Sequence, residues 1–255
     1  MQYYDLYRKY HALGEERRWC LEKDVAWADI DPALANRDLL QPIKIAALVE
    51  SFSYQNCARF FQAHRHLPWL IGWKVMNLYE ENRHHYAMLR YSEAIGLPIE
   101  EREIVAIQHG YQNSADLQDS VWAGADLLEE LVLAWISEIE TAVWYRLAGR
   151  HVGEPVGTRL FGLISADEFF HAAYYHEVIA RMIAEDPEAR FARIATLISR
   201  YGKDDRDDHY GVVIGRDVFA EVRNTMARLG AADEIRQIVK SRLGAWQGLV
   251  AAPGV

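Results

Sequence analysis

The sequence predicts an all-α protein: a four-helix bundle with one crossover connection, plus an N-terminal cap and extra C-terminal helices. Three observations carry this. Apolar residues through the middle of the chain recur every three or four positions rather than every two. Four such runs stand at about Pro42–His64, Leu67–Ile95, Ala123–Gly149 and Gly157–Glu185, and a longer excursion, Ile99 to Val121, separates the second from the third. No Asn-Gly or Asp-Gly turn lies between alternating apolar runs, so no hairpin is expected.

Each element has its own signals. The second run stops at Gly96-Leu97-Pro98, and the fourth stops before Asp186-Pro187. The excursion has room for a short helix. The first forty residues read as a cap with one short helix and a looped Asp29–Pro32 segment. Beyond Ala192, further helices are expected around Val218–Leu229 and Asp233–Trp246. With 255 residues and 51% hydrophobic content, the chain can bury one sizeable core. We therefore read residues 1–255 as a single domain: cap 1–40, bundle 41–190, C-terminal helices 191–255.

A formal charge of -9 disfavours general nucleic-acid binding, which needs a basic footprint. Two local basic groups, Arg190/Arg193/Arg200/Lys203 and Arg59/His64/Arg65/His66, read mainly as solvated helix faces. The run Lys203 to Gly211 reads as a solvated loop. Two cysteines, Cys20 and Cys57, make no disulfide framework. No apolar run suits a membrane helix or a signal peptide, so a cytoplasmic location without membrane attachment is expected.

The chemistry concentrates in two short stretches, EENRH (Glu80 to His84) and DEFFH (Asp167 to His171). Each holds Glu-x-x-His, and side chains three apart share one helix face. Glu81 and His84 thus point one way, as do Glu168 and His171. The first long run offers Glu50 on its apolar face, beside Ala46, Ala47 and Cys57, where a lone charge is costly. The third run offers Glu138 and Glu140. Glu140 lies on the stripe Val132, Ile136, Val143, Leu147 and is taken as the inward one, with Glu138 as the alternative. One Glu-x-x-His alone usually faces water. Two copies, each preceded by a helix with an inward glutamate, form a candidate set of Glu50, Glu81, His84, Glu140, Glu168 and His171. Four carboxylates and two imidazoles suit two hard divalent cations, the di-iron or di-manganese pattern of ferritin-like bundles. His85 and His176 are neighbours of this set and are not taken as ligands.

At these residues the chain resembles the soluble acyl-carrier-protein desaturases, a branch of the ferritin-like di-iron superfamily. EENRH looks like that family's second-helix motif. ISADEFFHAAYYHEVIARMIAEDPEA (Ile164 to Ala189) is similar to its fourth-helix motif, and ARLGAADEIRQIVKSRLGAW (Ala227 to Trp246) to its C-terminal stretch. The resemblance implies that Glu50 and His84 hold one iron, Glu140 and His171 the other, and that Glu81 and Glu168 bridge. It implies Asp167 as the acceptor that orients His84, continued by a tryptophan before the bundle. Trp27 is the candidate, with Trp19 behind it. Three positions depart from the family. Val143 stands where Thr often follows the third glutamate by three, His85 where Gly usually follows the second-helix motif, and Phe169-Phe170 where charged residues are usual.

The resemblance further implies an O2-activating di-iron oxidoreductase that desaturates an acyl chain on acyl carrier protein, with a ferredoxin-type electron donor and a homodimeric state. Two alternatives remain: a specialised di-iron oxygenase of a biosynthetic pathway acting on a small molecule, and a ferritin-like protein for iron storage or peroxide removal. Phe169 and Phe170 cannot both face the metals, so at least one must be covered by another helix or by a second subunit. Tyr54, Phe61, Met88, Trp135 and Val143 are the bulky residues available to line an acyl channel, or simply to pack the core.

Overall fold

The computed structural model of the chain describes residues 2–51, 53–113, 126–200 and 216–251, without the side chains of residues 2, 53–56, 59, 110–113, 200 and 216–219. The described residues are helical, with no strand among them. In chain order the helices are α1 (Gln2–Arg17), α2 (Leu21–Asp24), α3 (Arg37–Glu50), α4 (Ser53–His64), α5 (Pro68–Ala94), α6 (Glu101–Asn113), α7 (Leu127–His151), α8 (Pro155–Glu185), α9 (Pro187–Arg200), α10 (Arg216–Arg228) and α11 (Ala231–Ala251). Two short 3-10 turns, Trp27–Asp29 and Pro32–Leu34, complete the cap.

The expected first long helix is two helices. α3 starts before Pro42, because the Asn36 side chain accepts from the Asp38 amide (3.1 Å) and caps the helix five residues earlier than expected. It then breaks right after Glu50. The Ser51 amide bonds back to the Leu48 carbonyl (3.2 Å) instead of continuing the regular ladder. The Ala47 carbonyl near this break meets His85 Nδ1 at 3.2 Å, which gives that histidine a structural place away from any metal. α8 begins two residues earlier than expected. Pro155 occupies its first turn, and the Glu154 carboxylate accepts from the amides of Val156 (3.1 Å) and Gly157 (2.6 Å).

Packing shows which helices make the bundle. α7 and α8 form a tight hairpin through residues 152–154, α5 packs on α3, α4 and α8, and α11 closes over α7 and α8. One apolar cluster joins the start of α5 (Leu70, Trp73), the start of α7 (Leu128, Leu131) and the end of α8 (Val178, Ile183). The other joins α3 (Ile43, Ala47), the end of α5 (Met88, Tyr91), the end of α7 (Ala148) and the start of α8 (Leu160, Ile164). Hence α5 and α7 run parallel. The chain leaves α5 at one end of the bundle and enters α7 at the other, which requires a crossover along the bundle's length. α6 lies within it. The acidic and histidine residues of α5 and α8 fall between the two apolar clusters, in a polar layer at mid-bundle.

The cap adds a partner that the sequence reading did not foresee. α1 lies across α5 and α8. The Phe170 ring packs on Tyr10 (5.3 Å) and Trp73 (5.8 Å), under the Arg17 guanidinium at 4.3 Å. Phe169 sits under Arg146 (4.8 Å), which is itself paired with Glu234 of α11. Both rings are covered by their own chain, so they give no reason to invoke a second subunit. Met88, Trp135 and Val143 are core, and Phe61 is half-buried. The Tyr54 side chain and the Lys203–Gly211 segment lie outside the described residues. Within the two basic groups, Arg193 pairs with Asp126 (2.6 Å) and Glu129 (2.8 Å), Arg190 pairs with Glu185 (2.7 Å) and His64 contacts Glu130, while the side chains of residues 59, 200 and 203 lie outside the described residues. No described helix is long and apolar enough to cross a membrane.

Gly157 is where α5 approaches α8 most closely. A Cβ there would stand 2.1 Å from the Tyr91 hydroxyl, which bonds Glu154 at 3.2 Å. Gly157→Ala must push out a buried ring and is expected to lower stability by about 3 kcal/mol. Gly162→Ala, on the same helix with nothing within 4 Å, should be neutral or slightly stabilising. Urea denaturation of both proteins checks this, and equal midpoints would contradict the close approach.

Candidate metal centre

Two groups of potential ligands meet in the polar layer. One is Glu50, Glu81, His84 and Glu168, and the other is Glu81, Glu138, Glu168 and His171. Within each group the ligand atoms lie within 4.8 Å of one another. Glu81 and Glu168 belong to both, and their oxygens divide accordingly. Glu81 Oε2 faces His84 Nδ1 (3.6 Å) while its Oε1 faces His171 Nδ1 (3.3 Å). Glu168 Oε1 faces His84 Nδ1 (3.2 Å) while its Oε2 faces His171 Nδ1 (3.2 Å). Glu50 joins the His84 side, and Glu138 Oε2 joins the His171 side at 3.3 Å.

The third-helix glutamate is therefore Glu138, and Glu140 lies outside both groups. At 100° per residue the two point about 200° apart, so only one can face the layer. The stripe argument failed because α7 is apolar almost all round. Leu131, Trp135, Ala142 and Tyr145 are as buried as the Val132–Val143 stripe. Counted from Glu138, the position three residues on is Thr141, not Val143. The departure noted at Val143 thus disappears. The Thr141 hydroxyl donates to the Ser137 carbonyl at 3.0 Å.

Both imidazoles are held from behind, each by the acid just before the opposite motif's glutamate. Asp167 Oδ2 lies 3.0 Å from His84 Nε2, and Glu80 Oε2 lies 2.7 Å from His171 Nε2. With Nε2–H donating to a carboxylate, the Nδ1 lone pair points into the layer on both rings. Glu80 was missed in the sequence reading, although it precedes Glu81 just as Asp167 precedes Glu168. Asp167 is also bound by Arg83 Nη2 (2.9 Å), Arg17 Nη2 (3.2 Å) and Trp19 Nε1 (2.7 Å). The tryptophan beside Asp167 is thus Trp19. Trp27 donates to the Leu21 carbonyl (2.8 Å) and lies under Arg90, two turns further along α5 than Arg83. Tyr145 was missed as well; its hydroxyl donates to Glu50 Oε1. His176 stacks on Trp246 at 4.7 Å, away from the layer.

The donor set fits two divalent cations. His84 Nδ1 and Glu168 Oε1 are buried without a hydrogen-bond partner. Four carboxylates within a few ångströms repel one another unless cations or protons intervene. Burial, then the charges of Glu81 and Glu168, raises the Glu50 carboxyl well above its ordinary value. Burial likewise pushes Glu138 up to about 8. At His84 burial opposes the charged ring, but the bond to Asp167 and the nearby Glu168 and Glu81 carboxylates outweigh it and hold its pKa well above 6.5. His171 behaves alike beside Glu138, Glu168 and Glu80. Burial also works against the Asp167 carboxylate, yet His84 and Trp19 hold its pKa below the usual range.

The family pattern described as fatty acid desaturase matches residues 53–247. The chain is 26% identical over 160 residues to the chloroplastic acyl-acyl-carrier-protein desaturase 7 of Oryza sativa, covering 58% of this chain and 38% of that protein. It is 25% identical over 137 residues to an acyl-acyl-carrier-protein desaturase of Mycobacterium tuberculosis, covering 52% of this chain and 39% of that protein. The matches therefore span well under half the length of these relatives. Among solved structures, an R2-like ligand-binding oxidase from Sulfolobus acidocaldarius superposes with a TM-score of 0.52 over 87% of this chain and 90% of that one, at 15% identity. That likeness concerns the fold alone, a ferritin-like bundle.

Proposed function

Since this chain belongs to the fatty acid desaturase family, we propose that its mid-bundle cluster is the di-iron centre of an O2-using oxidoreductase that desaturates an acyl chain carried on acyl carrier protein. The single observation behind this is the pair of ligand groups interlocked through Glu81 and Glu168. Glu50 and His84 would hold one iron, Glu138 and His171 the other, with Glu81 and Glu168 shared. Two ferrous ions bound there would supply a site for O2 and electrons toward its reduction, and with them the oxidising power that attack on an unactivated C–H bond requires.

The protein's own residues do the rest. Asp167 and Glu80 fix the ring orientation and tautomer of His84 and His171. Arg17 and Arg83 bind the Asp167 carboxylate and hold it in place behind His84. Trp19, bonded to Asp167, continues the hydrogen-bonded chain from His84 toward the cap, where a ferredoxin-type donor would deliver electrons. The apolar clusters on both sides keep water from the reacting carbon. Reduction of O2 to two waters takes four electrons and four protons: two electrons from the donor with two protons from solvent, and two electrons leaving with the two hydrogens of the substrate as the double bond forms. A homodimer is part of this proposal, supported by the family likeness alone.

The test is anaerobic loading with Fe(II), reduction, then O2 in the presence of candidate substrates. Desaturation is expected to appear as the loss of two hydrogens from an acyl group on the carrier, coupled to O2 uptake. Gain of one oxygen atom from labelled O2 makes the protein an oxygenase. Ferric mineral growth without an organic substrate makes it a storage protein.

A further inference from the structure

One half-buried cation beside the cluster has no part in holding ligand imidazoles. Lys74 stands on α5 two turns before Glu81, on the same face. Its ammonium donates to Asn77 Oδ1 at 2.6 Å, and Asn77 Nδ2 donates to Glu81 Oε1 at 2.9 Å. Asn77 is 0% exposed and is fixed at both ends of its amide. Around Lys74 stand Cys57 and Phe60 of α4, Tyr175 of α8 and Glu138 of α7, with the ammonium 5.9 Å from the Phe60 ring centre. Among the described residues no carboxylate comes within 4.0 Å of its nitrogen, and Asn77 is its hydrogen-bond partner.

Charge and access point the same way. Two divalent ions neutralise Glu50, Glu81, Glu138 and Glu168. Glu80 and Asp167 are then matched by Arg17 and Arg83. Lys74 remains, half-buried, with two N–H groups, a positive charge and, among the described residues, no anion of its own. The cluster also has an accessible side. The Glu81 and Glu138 side chains keep 13% and 12% of their surface, against 1% for Glu168 and 0% for both imidazoles. Lys74 borders that side and also retains accessible surface. A plain methylene chain laid there would strip water from the ammonium and return nothing.

We infer that Lys74 is a substrate-recognition residue that takes a carboxylate of the molecule oxidised at this site, holding it on the Glu81–Glu138 side of the metals. This rests on the reading of the cluster as an oxidative di-iron centre and adds the substrate's charge to it. The carboxylate belongs either to a free acid or to the far end of a carrier-borne chain.

Calorimetric titration of the iron-loaded, reduced, oxygen-free protein tests this with straight-chain acids from butyrate to dodecanoate, each beside its amide. At the best chain length the acid is expected to bind about 10- to 100-fold more tightly than the amide. Lys74→Met should abolish that preference and Lys74→Arg retain it, with iron content unchanged. Carrier protein bearing an adipoyl half-thioester, compared with hexanoyl, separates the two sources: preference for adipoyl puts the acid on a carrier-borne chain, and preference confined to free acids makes the substrate free. No acid preference in either form, or one that survives Lys74→Met, overturns the assignment. If Lys74→Met sheds iron, Lys74→Gln replaces it; iron loss there too makes Lys74 a support for Glu81, and the assignment falls. Wild-type protein without iron sinks both readings, whereas full iron with no acid preference sinks only this one.

Discussion

Glu81→Ala and Glu168→Ala proteins are each expected to lose both metals, falling from roughly two irons per chain to near none. Each carboxylate sends one oxygen to either side of the pair, so its removal opens both sites together. Glu50→Ala and Glu138→Ala touch one group each and should leave about one iron per chain, more weakly held. Glu140→Ala should load as wild type does. Glu80→Gln and Asp167→Asn keep every ligand but loosen an imidazole, with an expected loss of about 10- to 100-fold in affinity. Metal analysis after gel filtration, with circular dichroism to confirm folding, distinguishes these cases. Full loading of both Glu81→Ala and Glu168→Ala would refute the shared-ligand geometry.

Metal loading should also release protons and weaken steeply in acid. The metal-free site holds protons that two cations must displace. Burial puts Glu138 up to about 8. His84 and His171 are held well above 6.5 because surrounding carboxylates outweigh their burial. Glu50 is raised by burial and by its acidic neighbours. These groups titrate together rather than singly. The sign follows from competition: Glu138 below about pH 8, together with Glu50, His84 and His171, whose pKa values are raised, carries protons that the cations must displace, so lowering the pH favours the metal-free form. Each proton released costs one decade of apparent affinity per pH unit. With one proton from each imidazole, overall affinity should fall at least about 100-fold for each pH unit near neutrality. Calorimetric titration with Mn(II) in two buffers of different ionisation enthalpy counts the protons. A heat independent of the buffer would contradict the charge state described for the cluster.

Local pattern determined much of this protein. Helical periodicity located the long runs, although the first of them is two helices, and the stops at Gly96 and Asp186-Pro187 are those observed. Glu81, His84, Glu168 and His171 were legible because spacing on one helix fixes a shared face whatever lies opposite. Glu50 was legible because a lone acid on an apolar face needs compensation.

Where a helix has no polar face, spacing is silent. α7 is buried on nearly every side, and only the rotation set by α3, α5 and α8 turns Glu138 inward instead of Glu140. Contacts between distant segments were equally out of reach. Trp19 rather than Trp27 meets Asp167 because the chain after α1 crosses the bundle beside Arg83. Phe170 is covered because α1 folds back over α5 and α8. The surroundings of Lys74 follow only from the packing of α4, α7 and α8 beside α5. Periodicity reports which way a side chain points along its own helix. Which partner it meets depends on how helices far apart in sequence are rotated and docked, and that is decided by packing the whole core at once.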